Sequence, residues 1–126
     1  MKNNLFLTGG SGFLGQNLMQ KLLESKFKIY NLDKKKSKLL HKNIFNLKDS
    51  FFKAKKYQSQ INKSDIILHA ASLSRNYQSI YQPKLYYQEN LINLINFLRL
   101  IKKPERKCFY FISTMDVLKF KNYNLI

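Results

Sequence analysis

The chain begins with a short apolar run, Leu5-Phe6-Leu7, followed by leucines at every fourth position, Leu14, Leu18 and Leu22, with Met19 and Leu23 beside them. The run predicts a strand buried on both faces of a parallel sheet. The spacing that follows predicts a helix with one face packed on that sheet. The alternation then repeats. Phe27, Ile29, Tyr30 and Leu32 form a second apolar segment, and Ile44-Phe45 a short third strand. Phe51, Ala54, Gln58 and Ile61 fit one face of a helix, and Asp65 to His69 reads as a fourth strand followed by the small residues Ala70, Ala71 and Ser72. Tyr87, Leu91, Leu94, Ile95 and Leu98 fit a long helix closed by Lys102, Lys103 and Pro104. Cys108 to Ile112 is a fifth strand, ending in Ser113 and Thr114. Strands alternating with helices predict an α/β fold built on a doubly wound parallel sheet.

All four glycines of the chain lie in Thr8-Gly9-Gly10-Ser11-Gly12-Phe13-Leu14-Gly15, between the first strand and the first helix. A chain that uses glycine at no other turn needs backbone freedom and close approach at this one place. Turns before helices also collect glycine for structural reasons, so the surroundings decide. The helix N-terminus points at the turn, and its free N–H groups and positive dipole end form an anion site. Gly12 would let phosphate oxygens come close there, and Gly15 would let the helix approach the strand. Asp33 ends the second apolar segment roughly 20 residues beyond the glycines, the separation at which an acidic side chain meets the adenosine ribose hydroxyls of a dinucleotide. Strand, glycine turn, helix and acid together predict a Rossmann-like dinucleotide-binding domain.

Composition is consistent with one compact domain over residues 1–126, since 44% hydrophobic and 14% aromatic residues supply a single core. No segment approaches the ~20 apolar residues of a membrane span. Met1-Lys2-Asn3-Asn4 leads into the first strand without a secretory apolar region. The lone Cys108 cannot form an internal disulfide, which points to a reducing cytoplasm. No repeat, linker or metal site is expected. The formal net charge of +16 pulls elsewhere, because such a balance is expected of a nucleic-acid binder. Its distribution argues against that: three of the 23 basic residues are arginine, and the lysines spread along almost every segment. Lys34, Lys35, Lys36 and Lys38 form the one tight cluster, directly after Asp33, where they could meet a 2′-phosphate. Asp33 would repel such a phosphate, so NAD is favoured over NADP.

With these motifs in place, the sequence resembles the extended short-chain dehydrogenase/reductase family, the NAD-dependent epimerases and dehydratases that act mostly on nucleotide sugars. Thr8 to Gly15 matches the glycine pattern, with Gly9, Gly12, Phe13, Leu14 and Gly15 at the cofactor, and Asp33 matches the acid closing the second strand. Phe45-Asn46-Leu47-Lys48-Asp49 resembles the segment along adenine, although the family usually has Asp where Asn46 stands. His69-Ala70-Ala71 matches the signature after the fourth strand, Asn90 falls where the family has an asparagine in its fourth helix, and Thr114 stands at the position of the active-site hydroxyl. Each has a plainer reading as well: a packed histidine, a surface amide, a strand-favouring threonine, and, for Asp49, a helix cap. The resemblance implies a sheet with strand order 3-2-1-4-5.

It also implies a tyrosine, with a lysine four residues on, for proton transfer. In the family that pair lies beyond the point matching Ile126, as do the last strands and the substrate lobe. Tyr30 and Lys34 have the right spacing by coincidence, at the end of the second strand. The chain alone is therefore expected to bind cofactor without epimerising or dehydrating a substrate, as a truncated or split form. A non-catalytic dinucleotide-binding module is the alternative, and a basic nucleic-acid-associated protein a third. The free edge of the fifth strand is expected to invite self-association or a complementing chain.

Overall fold

The computed structural model describes residues 3–113. Its centre is a five-stranded parallel sheet in the order β3-β2-β1-β4-β5. The strands are β1 (Asn4–Thr8), β2 (Lys28–Asp33), β3 (Ile44–Lys48), β4 (Ile66–His69) and β5 (Cys108–Phe111). This is the order expected of the doubly wound class. Side chains alternate between the two faces of the sheet, as the pleat requires. Leu5 and Leu7 of β1, Ile29 of β2 and Leu68 of β4 pack with Met19 of α1 (Phe13–Glu24). Phe6, Tyr30, Leu32 and Ile67 face the opposite way, onto Phe51, Ala54, Ile61 and Phe97. Helical segments thus cover both faces, and the central strands read as unbroken apolar runs because each face is buried.

The second crossover begins as a 3₁₀ segment, Phe51–Tyr57, and becomes α2 (Gln58–Lys63). The predicted face holds: Phe51, Ala54 and Ile61 are buried, while the half-buried Gln58 donates its Nε2 to the Leu100 carbonyl at 2.6 Å. After β4 come α3 (Asn76–Tyr81), α4 (Pro83–Tyr87) and α5 (Asn93–Leu98), with a π turn at Gln88–Ile92 joining the last two.

Two predicted helix faces are corrected. In α1, Gly15 and Met19 point at the sheet with Leu18, Leu22 and Leu23 alongside, whereas Leu14 is 45% exposed. The stripe is therefore centred one residue later than the leucine spacing suggests. In residues 83–98 the inward side carries Asn93, Leu94 and Phe97, and Tyr87, Leu91, Ile95 and Leu98 are exposed. Periodicity counts only apolar residues, and here amides face inward: Asn90 satisfies the Leu73 main chain, and Asn93 accepts a hydrogen bond from Gln88. β5 is hydrogen-bonded to β4, and its residues are exposed. Thr114 and the segment Met115-Asp116-Val117 lie outside the described residues.

Candidate functional site

Two adjoining cavities open where the carboxyl ends of β1, β2 and β4 meet the N-terminus of α1. The first, of about 300 Å³, lies between the glycine turn, Asp33-Lys34-Lys35 and residues 70–73. The second, of about 700 Å³, continues past Phe13, Leu14 and Gly15 towards His69, Phe111 and Ser113. Gly9, Gly12, Ala70, Ala71 and Asn90 border both. The location follows from topology. The connection from β1 runs to β2 on one side and the crossover from β3 carries the chain to β4 on the other, so a crevice opens between them at the carboxyl ends of the strands.

The turn itself is shaped by close approach. Gly9 has φ +76°, and a Cβ on it would come within 2.6 Å of the Ala71 main-chain nitrogen. A Cβ on Gly15 would meet the backbone of Gly9 and Gly10, so only glycine lets the first turn of α1 sit on the loop. Gly12 caps α1 without a side-chain hydrogen bond, and the first turn carries no acidic residue. The first N–H groups of the helix lack intrahelical partners by geometry, which makes them available to an anion.

Asp33 is placed by its own chain. Its Oδ2 accepts the Ser11 N–H at 3.0 Å and its Oδ1 accepts the Lys35 N–H at 2.9 Å. The carboxylate thereby joins the glycine turn to the bend after β2 while still lining the first cavity. Ser11 also reaches this bend, its hydroxyl donating to the Lys35 carbonyl. On the other wall, the Asn90 Nδ2 donates to the Leu73 carbonyl at 2.8 Å, and its Oδ1 accepts the Leu73 N–H at 2.8 Å. Asn90 thus fixes the loop that bounds both cavities. Thr8 Oγ1 lies 2.7 Å from His69 Nδ1 and accepts the Ala71 N–H at 3.4 Å. Burial pushes His69 from an ordinary 6.5 down to about 4, so its ring is neutral. His69 is a packed histidine, ringed by Phe51, Phe97 and Phe111.

The structure therefore brings Gly9, Gly12, Phe13, Leu14, Gly15, Asp33, Ala70, Ala71 and Asn90 to one crevice. Asn46 and Leu47 line neither cavity; Leu47 packs on the core, and Asn46 accepts hydrogen bonds from Asn31 and Ser37. Thr114 is not among the described residues. Ser11, Leu73 and Asn31 were not singled out by pattern. An amide inside the apolar segment Ile29-Tyr30-Asn31-Leu32 is the signal that marks the last of these. Among the described residues, no group of three His, Cys, Asp or Glu is placed to hold a metal.

A parallel sheet in this order, with a glycine turn feeding a helix and an acid at the end of β2, defines a Rossmann-like domain. The sequence profile of the NAD dependent epimerase/dehydratase family matches residues 5–118, and the chain belongs to that family. A bifunctional UDP-glucose 4-epimerase and UDP-xylose 4-epimerase of Arabidopsis thaliana is 29% identical over 93% of this chain and 38% of its own length. A decarboxylating sterol-4-alpha-carboxylate 3-dehydrogenase of Dictyostelium discoideum is 28% identical over 74% of the chain and 30% of its own length. Among solved structures, a UDP-N-acetylglucosamine 4-epimerase from Methanobrevibacter ruminantium superposes with a TM-score of 0.83 at 24% identity, over 99% of this chain and 42% of that one. The UDP-glucose 4-epimerase of Thermus thermophilus, solved with NAD, gives 0.77 at 21% identity, over 88% and 37%. This chain thus spans well under half the length of the proteins it matches.

Proposed function

We propose that this chain is the cofactor-binding region of a nucleotide-sugar epimerase- or dehydratase-type oxidoreductase, and that its dinucleotide is NAD. The observation that carries the reading is the crevice in which unpartnered N–H groups of α1 stand over glycine backbone, with Asp33 on the adjoining wall. Family membership and the NAD bound to the Thermus thermophilus structure support it. The residues fit such a group: Gly12 borders both cavities, and its side-chain position is open, with only the Gly9 carbonyl oxygen 3.5 Å away, so its bare backbone leaves room for a diphosphate. The amides of the α1 first turn would hold the two phosphates. Asp33, already fixed by two N–H donors, keeps lone pairs for ribose hydroxyls and disfavours a 2′-phosphate. Ala70, Ala71 and Leu73 form a wall without charge, held in place by Asn90. When bound, the nicotinamide supplies reversible hydride transfer.

Proton transfer is a different matter. Tyr30 has Lys34 four residues on, but its ring is buried in the core beside Phe45, away from both cavities. This pair therefore supplies no proton transfer to the crevice, which we read as a place that binds and orients the cofactor. No helix among the described residues is long and apolar enough to cross a membrane, and the lone Cys108 favours a cytoplasmic setting. The exposed β5 is read as the place where more polypeptide, from this or another chain, completes the sheet.

Titration with NADH, followed by the rise in its fluorescence, tests the reading. Saturable enhancement is expected, stronger for NADH than for NADPH, with the preference narrowed in Asp33→Ala. Folded protein that leaves NADH fluorescence unchanged would overturn it.

A further inference from the structure

Asn31 lies in the middle of β2, directly beside Leu7 of β1 and Asn46 of β3. It is 1% exposed, on the face of the sheet covered by α1, where its neighbours in the strand pattern are apolar. A buried amide at such a position is costly unless its groups are paired. Its Nδ2 donates to Ser11 Oγ at 3.2 Å and to Asn46 Oδ1 at 3.0 Å. Its Oδ1 has no partner among the described residues and lies against Gly10.

The orientation of this amide is dictated by its partners. Asn46 Oδ1 also accepts the Ser37 N–H at 3.1 Å, so that atom must be the oxygen and needs a donor from Asn31. Ser11 spends its hydroxyl proton on the Lys35 carbonyl, so it too must accept. Turning the Asn31 amide over would set its oxygen against two acceptors, break both links at once and leave its NH2 unpaired. A position that leaves one acceptor unpaired to keep two donors engaged is serving those two bonds.

We infer that Asn31 is a positioning residue, whose amide ties the glycine turn, through Ser11, to the lysine-bearing bend 34–38, through Asn46 and Ser37, and so holds Asp33 at the mouth of the first cavity. Asp33 itself bridges the same two segments from above, through Ser11 and Lys35. The bend therefore has three ties to the turn, Asp33 and the Ser11 hydroxyl on the cavity side and Asn31 buried beneath them. Gly10 belongs to the same unit, because a Cβ there would strike the Asn31 amide. Asn46, which lines neither cavity, acts through this tie.

The inference rests on the dinucleotide reading only for its ligand, so the test has two arms. In the first, backbone amide exchange is measured at Lys35 and Ser37 without any ligand, in the parent, Asn31→Leu and Asn46→Leu. The near-isosteric Asn31→Leu is expected to speed exchange at both amides by about tenfold, the loss of two net hydrogen bonds, while its thermal midpoint does not fall, since a buried orphan acceptor leaves with the amide. In the second arm, NADH affinity is expected to weaken by about tenfold in both variants, and Asn46→Asp, which keeps an acceptor oxygen, to restore what Asn46→Leu loses. ADP-ribose should weaken in parallel, because the tie serves the adenosine end. Should Asn31→Leu fail to fold, Asn46→Leu at its half-buried position carries the test. Unchanged exchange at Ser37 in a folded variant would overturn the tie whether or not the parent binds NADH. Faster exchange with unchanged NADH affinity would overturn the positioning role. Absence of NADH binding by the parent would instead sink the functional reading and leave the first arm standing.

Discussion

His69 offers a test in which the contribution of one ring to the pH dependence of stability is isolated by substitution. It is 2% exposed, stacked at 5.9 Å on Phe97 and at 5.8 Å on Phe111, with the Phe51 ring edge-on at 5.1 Å. Its polar contact is with Thr8 Oγ1, which also receives the Ala71 N–H. A hydroxyl buried with its acceptor site in use gains a partner for its proton by donating it to Nδ1, which places the ring proton on Nε2. The groups packed on the ring from β1, β5, α5 and the 3₁₀ segment are uncharged, so nothing compensates an imidazolium, and burial lowers its pKa from 6.5 to about 4. The sign follows. As pH falls below 6.5 the unfolded chain takes up a proton that the folded one refuses. The contribution is therefore complete above 6.5, is lost on the way down to about 4, and then levels off. Between about pH 7.5 and about pH 4.5 the integrated loss is about 2.5 kcal/mol. His69→Phe keeps the aromatic stack and removes the titration, at a pH-independent cost of about 1–2 kcal/mol for the Thr8 hydrogen bond. Urea unfolding of both proteins across this window should show the parent losing about 2.5 kcal/mol more than the variant. Equal losses in the two proteins would mean that His69 is not held neutral, and the packing argument would fail with it.

Two further substitutions probe the scaffold. Gly9→Ala combines a left-handed φ of +76° with main-chain atoms of Ala71 at 2.6 Å, neither of which a small shift relieves; a destabilisation of about 3 kcal/mol is expected in urea melts, with NADH uptake lost even where the fold survives. Lys107 sends its ammonium to the carbonyls of Ile61, Asn62 and Ser64 at the end of α2, at 3.4 and 2.9 Å for the first two. Lys107→Met should cost about 2 kcal/mol by the same measurement, the range of a hydrogen bond to a charged group, and leave NADH affinity as it was.

The strands were legible because each central strand is buried on both faces, so Leu5-Phe6-Leu7 and Ile67-Leu68 could be nothing but core, whereas the order of the sheet was implied by the family resemblance. The glycine turn was legible because the chain places glycine nowhere else. Helix faces were less so. The leucine spacing from Leu14 was displaced by Gly15, since a residue without a side chain contributes nothing to an apolar count yet makes the closest contact with the loop. Tyr87, Leu91, Ile95 and Leu98 make a regular stripe that faces outward, because Asn90 and Asn93 occupy the inward side. Asn46 carried a binding expectation from the family pattern, and the structure turns it under the bend, where Asn31 and Ser37 claim its oxygen.

The buried polar positions share a cause. Thr8, Asn31, His69 and Asn93 are buried polar residues in or beside segments that pattern reading treats as apolar, and three of the four lie in the carboxyl halves of their strands. Loops leave the sheet at that edge, and a loop folded back over the sheet presents main-chain groups that only an inward polar side chain can satisfy. Thr8 satisfies the Ala71 N–H, and Asn31, through Ser11 and Asn46, holds the bend bearing Asp33. The same edge is where an open α/β sheet receives its ligand. Amides and hydroxyls that interrupt a strand near its carboxyl end are thus the sequence signature of the supports beneath a crevice, while glycines mark the crevice itself. In this chain the glycines are read at once, and the supports become visible only when the register sets Asn31 beside Asn46.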